Sequence, residues 1–215
     1  MGSVRAVPLL SRVEEFAAPA SLAVIEKVAA AIRANNIDAR VVETAGEARL
    51  AVLELMPEGA EVHSGKSKTL SDVGLYQELF ESGRYDSLRD RYMKMDRQAQ
   101  AREMRKLISA PDYMLGSVQA ITESGDLVVA SASSGQLGPY ASGAGKLIIV
   151  AGSQKIVRDL DQALRRIEEH VFPYEDALVH ERMKIHTFIG KVLIIRREWI
   201  DGRIIVVLVR DPVGV

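Results

Sequence analysis

The sequence of 215 residues contains no cysteine. Disulfide bonds, thiolate zinc sites, cysteine-ligated iron–sulfur clusters and a cysteine nucleophile are therefore excluded within this chain. Any iron–sulfur centre that works with the chain must be carried by a partner protein. Because the chain has no cysteine framework of the kind found in secreted domains, we expect a cytoplasmic protein.

An excess of basic charge and a long apolar run are also missing. The formal net charge is -1 at pH 7, which argues against a nucleic-acid-binding protein. No apolar run approaches the ~20 residues that a membrane-spanning helix needs, so we expect no membrane partner. The first residues, MGSVRAVPLL, lack the apolar core and cleavage site of a signal peptide.

What the sequence does contain is an alternation of short apolar runs with amphipathic segments. The runs DLVVAS and KLIIVAG are nearly continuous, as in strands that are covered on both faces. Helical spacing of apolar residues marks 21–34 and 153–171. This alternation predicts an α/β fold with a mostly parallel sheet and helices on both faces. Two charged or mixed segments, 69–81 and 84–108, are each predicted to form a single helix.

The C-terminal segment 191–210 has a different pattern. Asp201-Gly202 lies between two β-rich runs, which predicts an antiparallel β-hairpin. We therefore expect an α/β domain over 1–190 and a hairpin extension of the same domain over 191–215. An exposed hairpin edge invites strand pairing, so a homodimer is also predicted.

The segment HSGKSKTL at 63–70 has the composition of an anion-binding loop. A glycine lets backbone N–H groups approach an anion, while lysines, hydroxyls and a following helix add donors and charge. The spacing does not fit a nucleotide P-loop, because Ala60 stands where its first glycine belongs. Two interpretations stay open, an anion site or a polar turn that caps a helix. The candidate ligand-binding residues are Gly65, Lys66, Ser67 and Thr69.

A second candidate lies in ITESGDLVVASASSGQLGPY at 121–140. Glu123 at a strand end could act as a nucleophile or general base, with Gly125 leaving room for a ligand. The same four residues could instead form the turn of a hairpin between 117–122 and 127–131.

The serine- and glycine-rich loop that begins at 131 follows an apolar strand. Open α/β sheets place ligands beyond the carboxyl ends of their strands, so this loop could line a pocket. It could also be a flexible connection. The candidate residues are Ser133, Ser134, Gly135 and Gln136.

A metal site is not predicted. Asp176 and His180 are four residues apart and could share one helix face, but His186 does not fit that face. Solvent-exposed or half-buried histidines are the simpler interpretation.

Two segments resemble those of a known family. GKSKTLSDVGL at 65–75 resembles the G-x-S-x-T-L-x-x-x-G-L segment of LUD-domain proteins. VQAITESGDLVVASASSGQ at 118–136 resembles their A-[IV]-A-E-[TS]-G-[TS]-L-V core and small-residue loop. With LIIVAGSQKIV, the resemblance covers roughly 40–185. Asp126 departs from the usual small hydroxyl residue, and Gly138-Pro139 stands where Pro-Pro is common.

The resemblance, which is to lactate utilization protein C and its relatives, implies a fold similar to that of ribose-5-phosphate isomerase, glucosamine-6-phosphate deaminase and CoA transferases. It implies a protein of organic-acid (lactate) utilization that binds a small anionic metabolite and acts with iron–sulfur or flavin partner subunits. No cofactor is expected in this chain, although CoA or a phosphorylated compound could be its ligand. Two alternatives stay open. One is a stand-alone acyl-CoA transferase or sugar-phosphate isomerase that uses Glu123, and the other is a ligand-sensing regulatory protein.

Overall fold

The apolar runs of the sequence form the strands of two β-sheets in the computed structural model, which describes residues 13–215. The first residues, MGSVRAVPLL, in which no signal peptide was predicted, lie outside the described residues. The strands are β1 Asp38–Val42, β2 Glu61–Ser64, β3 Asp86–Ser87, β4 Tyr113–Gly116, β5 Ala120–Thr122, β6 Leu127–Ser131, β7 Lys146–Gly152, β8 Ile156–Val157, β9 Lys191–Ile195 and β10 Ile204–Val209.

The helices lie between these strands. The α-helices are α1 Leu22–Ala34, α2 Ala45–Glu54, α3 Lys68–Asp72, α4 Leu75–Phe80, α5 Leu88–Tyr92, α6 Ala101–Ser109, α7 Leu160–Arg166 and α8 Phe172–Met183. Short 3-10 helices span Glu14–Phe16 and Ser153–Lys155, and π-helical turns span Pro139–Gly143 and Ile167–Val171. No helix among these has the length and apolar character needed to cross a membrane, within the described part of the chain.

The larger sheet has six strands in the order β1-β10-β7-β4-β2-β3, and all its pairings are parallel. Its two faces explain the continuous apolar runs. In β7, Ile149 faces the core formed with α1, while Ile148 and Val150 face the core formed with α2, α3 and α4. The predicted α/β fold with a parallel sheet and helices on both faces is confirmed.

The smaller sheet has four strands in the order β8-β5-β6-β9. β5 and β6 are antiparallel and form a hairpin, β9 pairs antiparallel with β6, and β8 pairs parallel with β5. A third cluster of buried residues, which includes Phe16, Val128 and Ile167, packs this sheet against α7 and the π-helical turn after it.

The predicted C-terminal hairpin is wrong. β9 lies at the edge of the small sheet, whereas β10 is inserted, in parallel, between β1 and β7. All six residues of Ile204–Val209 are buried, so this strand gains more apolar burial in the centre of the large sheet than in an exposed hairpin. Asp201-Gly202 does form a turn, with Gly202 at φ +66, but the turn leads from one sheet to the other. Of the two strands, β9 alone offers the edge on which the homodimer prediction was based.

The two long helices predicted at 69–81 and 84–108 are each interrupted. Gly74, at φ +73, separates α3 from α4. The second segment contains β3, α5 and α6, and the Asp96 carboxylate caps the turn before α6 by accepting from the N–H groups of Gln98 and Ala99. Ion pairs, such as Arg91 with Glu61 at 2.8 Å, hold this charged segment against the sheet.

Candidate functional site

A small polar cavity lies beyond the carboxyl ends of β2, β4 and β7, three neighbouring strands of the parallel sheet. This edge is where open α/β sheets bind ligands. The cavity has a volume of about 70 Å³. Its lining is rich in hydroxyl, amide and charged groups and consists of Gly65, Lys66, Ser67, Lys68, Thr69, Gly116, Ser117, Val118, Gln119, Gln136, Tyr140, Lys155, Val171, Glu175 and Val215.

Lys155 is the buried cation of this cavity. It follows β7 in the short 3-10 helix Ser153–Lys155, and 3% of its surface is exposed. Its Nζ donates to Thr69 Oγ1 at 2.8 Å and to Ser117 Oγ at 2.9 Å. Both partners are neutral hydroxyls, and no carboxylate of residues 13–215 lies within 4.0 Å of Nζ to form an ion pair. An ammonium group has three N–H donors, so one remains for a ligand.

Burial lowers the pKa of Lys155 to about 7, because a charged ammonium loses hydration in the interior. The positive charge of Arg166 lowers this pKa further, while the charges of Asp72 and Glu175 oppose the shift. With this pKa, both the ammonium form and the free amine are accessible near neutral pH.

Glu175, on α8, lines the same cavity and is shifted in the opposite direction. The Glu175 side chain is exposed to solvent on one side, while partial burial on the cavity side raises the pKa of its carboxyl group and the charge of Lys155 acts against that rise. A lysine with a lowered pKa and a carboxyl group with a raised pKa around one cavity are suited to moving protons at a bound ligand.

Tyr140 closes one side of the cavity and depends on the absence of a side chain at Gly116. Its hydroxyl donates to the carbonyl oxygen of Ser117 at 3.1 Å, and burial raises the pKa of the phenol, so it stays protonated. A Cβ atom at Gly116 would lie 1.6 Å from that hydroxyl. The Arg203 guanidinium donates to the carbonyl oxygen of Tyr140 at 3.0 Å and is itself paired with buried Glu198 at 2.7 Å, which holds the π-helical turn in place.

The loop predicted to bind an anion does line the cavity, but part of its polarity is used within the protein. The hydroxyl of Tyr76 donates to the carbonyl oxygen of Gly65 at 3.0 Å and accepts from the N–H of Ser67. The Ser67 hydroxyl caps α3 by accepting from Leu70 N at 3.3 Å. The hydroxyl of Thr69 accepts from Lys155. Both interpretations of the segment thus describe part of it, since Ser67 caps a helix while Gly65 to Thr69 line a cavity.

A second cavity of about 220 Å³ adjoins the first and shares Lys66, Gln119, Gln136, Val171 and Glu175 with it. It has a more apolar wall, formed by residues that include Phe172, Phe188 and Ile189. Of the candidates in the loop after β6, Ser133 and Gln136 line this cavity, whereas Ser134 and Gly135 line neither.

Glu123 and Gly125 also line neither cavity. They lie in the turn of the β5–β6 hairpin, which confirms the hairpin interpretation of this segment. Glu123 pairs with Lys27 at 2.5 Å, and Gly125, at φ +86, packs against the backbone of α1. Because β6 runs away from the turn, the loop that begins at 131 and the carboxylate of Glu123 lie at opposite ends of the hairpin. A catalytic role for Glu123 stays a prediction.

The histidines near the end of α8 interact with each other. The rings of His180 and His186 stack at 4.6 Å, and His186 Nδ1 lies 2.8 Å from Asp176 Oδ2. Across residues 13–215, no group of three histidine, aspartate or glutamate side chains is arranged to hold a metal ion.

The sequence analysis did not predict the residues at the centre of the site. Lys155 carried a usable signal, since a lysine three residues beyond the apolar run LIIVAG lies where α/β sheets bind ligands. Ser117, Tyr140 and Glu175 carried none, because long-range packing brings them to the cavity.

Comparison with known proteins gives the following matches. A family model described as the LUD domain matches residues 25–209. The crystal structure of a DUF162 family protein from Deinococcus radiodurans is similar to this chain with 12% sequence identity and a TM-score of 0.49, covering 89% of this chain and 99% of that one. No curated protein matches.

Proposed function

Because the chain belongs to the LUD domain family, we propose that it binds a small organic acid of the 2-hydroxy or 2-oxo class, such as lactate or pyruvate, in the cavity around Lys155. We propose further that it acts in organic-acid utilization together with redox partner subunits. The absence of cysteine means that an iron–sulfur centre would belong to such a partner.

The observation that carries this proposal is the environment of Lys155. Its Nζ is buried at the cavity wall and contacts two neutral hydroxyls. A buried charge without a counter-ion is costly, and a ligand carboxylate would supply the missing negative charge. Lys66, which is exposed at the junction of the two cavities, adds positive potential at the entrance.

The dimensions of the cavity favour a small acid over a coenzyme. One water molecule needs at least ~10–15 Å³ of cavity volume, so the cavity of about 70 Å³ has room for roughly five water-sized groups. A three-carbon acid is of that size. Its carboxylate would be placed at Lys155, its hydroxyl or carbonyl oxygen near the hydroxyl of Ser117, and its methyl group against Val118 and Val171.

The test is calorimetric titration of the purified protein with lactate and pyruvate, with ribose 5-phosphate and acetyl-CoA as competing classes. Ligand at about 100 times its dissociation constant should stabilise the fold by ~2.7 kcal/mol, which thermal unfolding also detects. Lys155→Met should weaken acid binding by tenfold or more, whereas Lys106→Met, at an exposed lysine of α6, should leave it unchanged. Equal binding of lactate by wild type and Lys155→Met would refute the assignment.

A stand-alone sugar-phosphate isomerase is the second candidate, and the adjoining cavity of about 220 Å³ favours it. A sugar body could occupy that space, with Glu175 rather than Glu123 as the base. Aldose–ketose exchange that is abolished in Glu175→Gln would support this alternative over the first.

The proposed partners need a separate experiment. Iron–sulfur or flavin subunits should copurify with the tagged chain, and sedimentation at several concentrations should reveal the homodimer. Purification of a lone monomer under all conditions would contradict both.

A further inference from the structure

We propose that the amine of Lys155 forms an imine with the carbonyl carbon of a 2-oxo acid bound in the cavity. The inference rests on the proposed function, because it needs the acid to bind there, and it adds a covalent step to that binding. The proposal predicts that a 2-oxo acid forms a covalent adduct and that a 2-hydroxy acid only binds, since a 2-hydroxy acid has no carbonyl group at that position.

The contacts of Nζ favour this chemistry. An amine can attack a carbonyl group only when its nitrogen has a free lone pair, which a lysine gains by giving up a proton to a neighbouring group such as Glu175. Lys155 is held by the hydroxyls of Thr69 and Ser117 at 2.8 and 2.9 Å. A hydroxyl both donates and accepts, so it can support the ammonium form and the free amine alike.

The surrounding charges act in both directions and leave the free amine accessible. Arg166 and Lys68 disfavour the ammonium form, whereas Asp72 and Glu175 favour it. The Asp72 carboxylate is already engaged by Lys68 at 2.7 Å and by the N–H of Gly214 at 2.9 Å.

The positive charge of Arg166, which disfavours the ammonium form of Lys155, is poorly neutralised. Its guanidinium is buried and donates to the carbonyl oxygens of Gln119, at 2.5 Å, and Phe16, at 3.2 Å. Among the described residues, no carboxylate forms an ion pair with it. A lysine that is desolvated and close to another cation is a known route to an activated amine nucleophile. The lowered pKa of Lys155 agrees with this environment.

The step balances without an oxidant or reductant. The nitrogen lone pair attacks the carbonyl carbon, and the electrons of the C=O double bond move to oxygen, which takes up a proton to give a carbinolamine. The nitrogen loses a proton, the hydroxyl group leaves as water after taking one up, and a C=N bond forms. Glu175, which faces the same cavity, is placed to carry these protons.

The test is trapping of the imine by reduction. The full-length protein is incubated with pyruvate and sodium cyanoborohydride at pH 7, and its intact mass and proteolytic peptides are measured. We expect one adduct per chain, with the mass of pyruvic acid less one oxygen, on the peptide that contains Lys155. Exposed lysines outside the cavity have no bound acid beside their amine, so they should react much more slowly.

Ligand controls and variant controls make the result specific. Lactate with the same reductant should give no adduct, and excess lactate should slow the pyruvate reaction. Lys155→Met should lose the adduct, while Lys106→Met, at an exposed lysine of α6, should retain it. Peptide mapping of the wild-type protein locates the adduct even if Lys155→Met folds poorly.

The outcomes separate the two proposals. If calorimetry detects pyruvate and lactate binding but no adduct forms at Lys155, the imine is refuted and the binding proposal stands. Adducts spread over exposed lysines, and undiminished in Lys155→Met, would also refute the imine. If neither acid binds and no adduct forms, both proposals fail.

Discussion

The Nζ atom of Lys155 lies 2.8 Å from the Oγ1 atom of Thr69, although 86 residues separate them in sequence. One residue follows β7 and the other lies on α3, and a second contact ties the same Nζ to Ser117 after β4. A single buried amine therefore joins the segments that follow three adjacent parallel strands. The cavity exists because these three segments are held together around it.

The first prediction concerns the pH dependence of stability. The folded pKa of Lys155, about 7, lies below its unfolded value of 10.5, so the unfolded chain binds more protons between these pH values. Stability should therefore rise with pH above 7, by at most ~1.4 kcal/mol per pH unit from this group. Below pH 7 the penalty for burying the charge is fully present.

Chemical denaturation at pH values from about 6 to about 9 measures how steeply the free energy of unfolding rises with pH. Lys155→Met should lose most of the rise, and Lys106→Met should keep it. Parallel curves for wild type and Lys155→Met would contradict the buried-amine assignment.

The second prediction concerns the space above Gly116. In Gly116→Ala the new methyl group would lie 1.6 Å from the Tyr140 hydroxyl, so the ring must move away from Ser117. Overpacking of this kind costs ~1–3 kcal/mol, and acid binding should weaken because the cavity wall shifts. Thermal unfolding and calorimetry measure the two effects.

Gly46→Ala, within α2, is the matched control. A Cβ atom there meets only the Thr44 hydroxyl, at 3.9 Å. This variant should be neutral or more stable by up to ~1 kcal/mol, because alanine favours a helix more than glycine does. Equal losses in the two glycine variants would argue against a specific role for Gly116.

The third prediction concerns the buried ion pair that supports Tyr140. Glu198→Gln leaves the Arg203 guanidinium buried without its counter-ion, which should destabilise the fold by about 3 kcal/mol. Glu43→Gln, in the exposed pair with Arg210, should cost 0–1 kcal/mol at roughly the scale of surface pairs. Urea unfolding of both variants gives the comparison, and a small loss in Glu198→Gln would show that Arg203 finds another partner.

The fourth prediction separates Glu123 from the site. Glu123→Ala removes a partly exposed pair with Lys27, so stability should fall by roughly 0–1 kcal/mol. Binding of lactate should be unchanged, because the side chain lines neither cavity. A tenfold loss of binding in this variant would restore the catalytic prediction for Glu123 and count against the cavity around Lys155.

Some features of this protein follow directly from local sequence patterns. The helical spacing of 21–34 and the oxygen of Ser21 specify α1, whose buried face includes Ile25, Val28 and Ile32. The continuous apolar run in β7 required burial on both faces, which a parallel sheet with two helix layers provides. The turn that begins at Glu123 could also be predicted from the sequence, because Gly125 lies between two strand-forming runs. The structure gives this glycine the positive φ that such a turn needs.

Other features depended on contacts between distant parts of the chain. The pattern around Asp201-Gly202 is correct for a turn, yet the partners of the two strands were decided by the buried gap between β1 and β7. Glu123 resembled a catalytic residue from its neighbours in sequence, but the antiparallel hairpin carried it away from the loop that begins at 131. Local periodicity specifies which face of a strand is apolar, and it carries no information on which strand pairs beside it.

The absence of cysteine by itself excludes whole classes of chemistry, and the apolar periodicity is sufficient to predict the α/β class. The cavity requires the folded chain. The lowered pKa of Lys155 arises from lost hydration and from the nearby charge of Arg166, and these groups meet only after the strands have paired. Desolvation and charge proximity are properties of a three-dimensional arrangement, so a single lysine in a sequence does not display them.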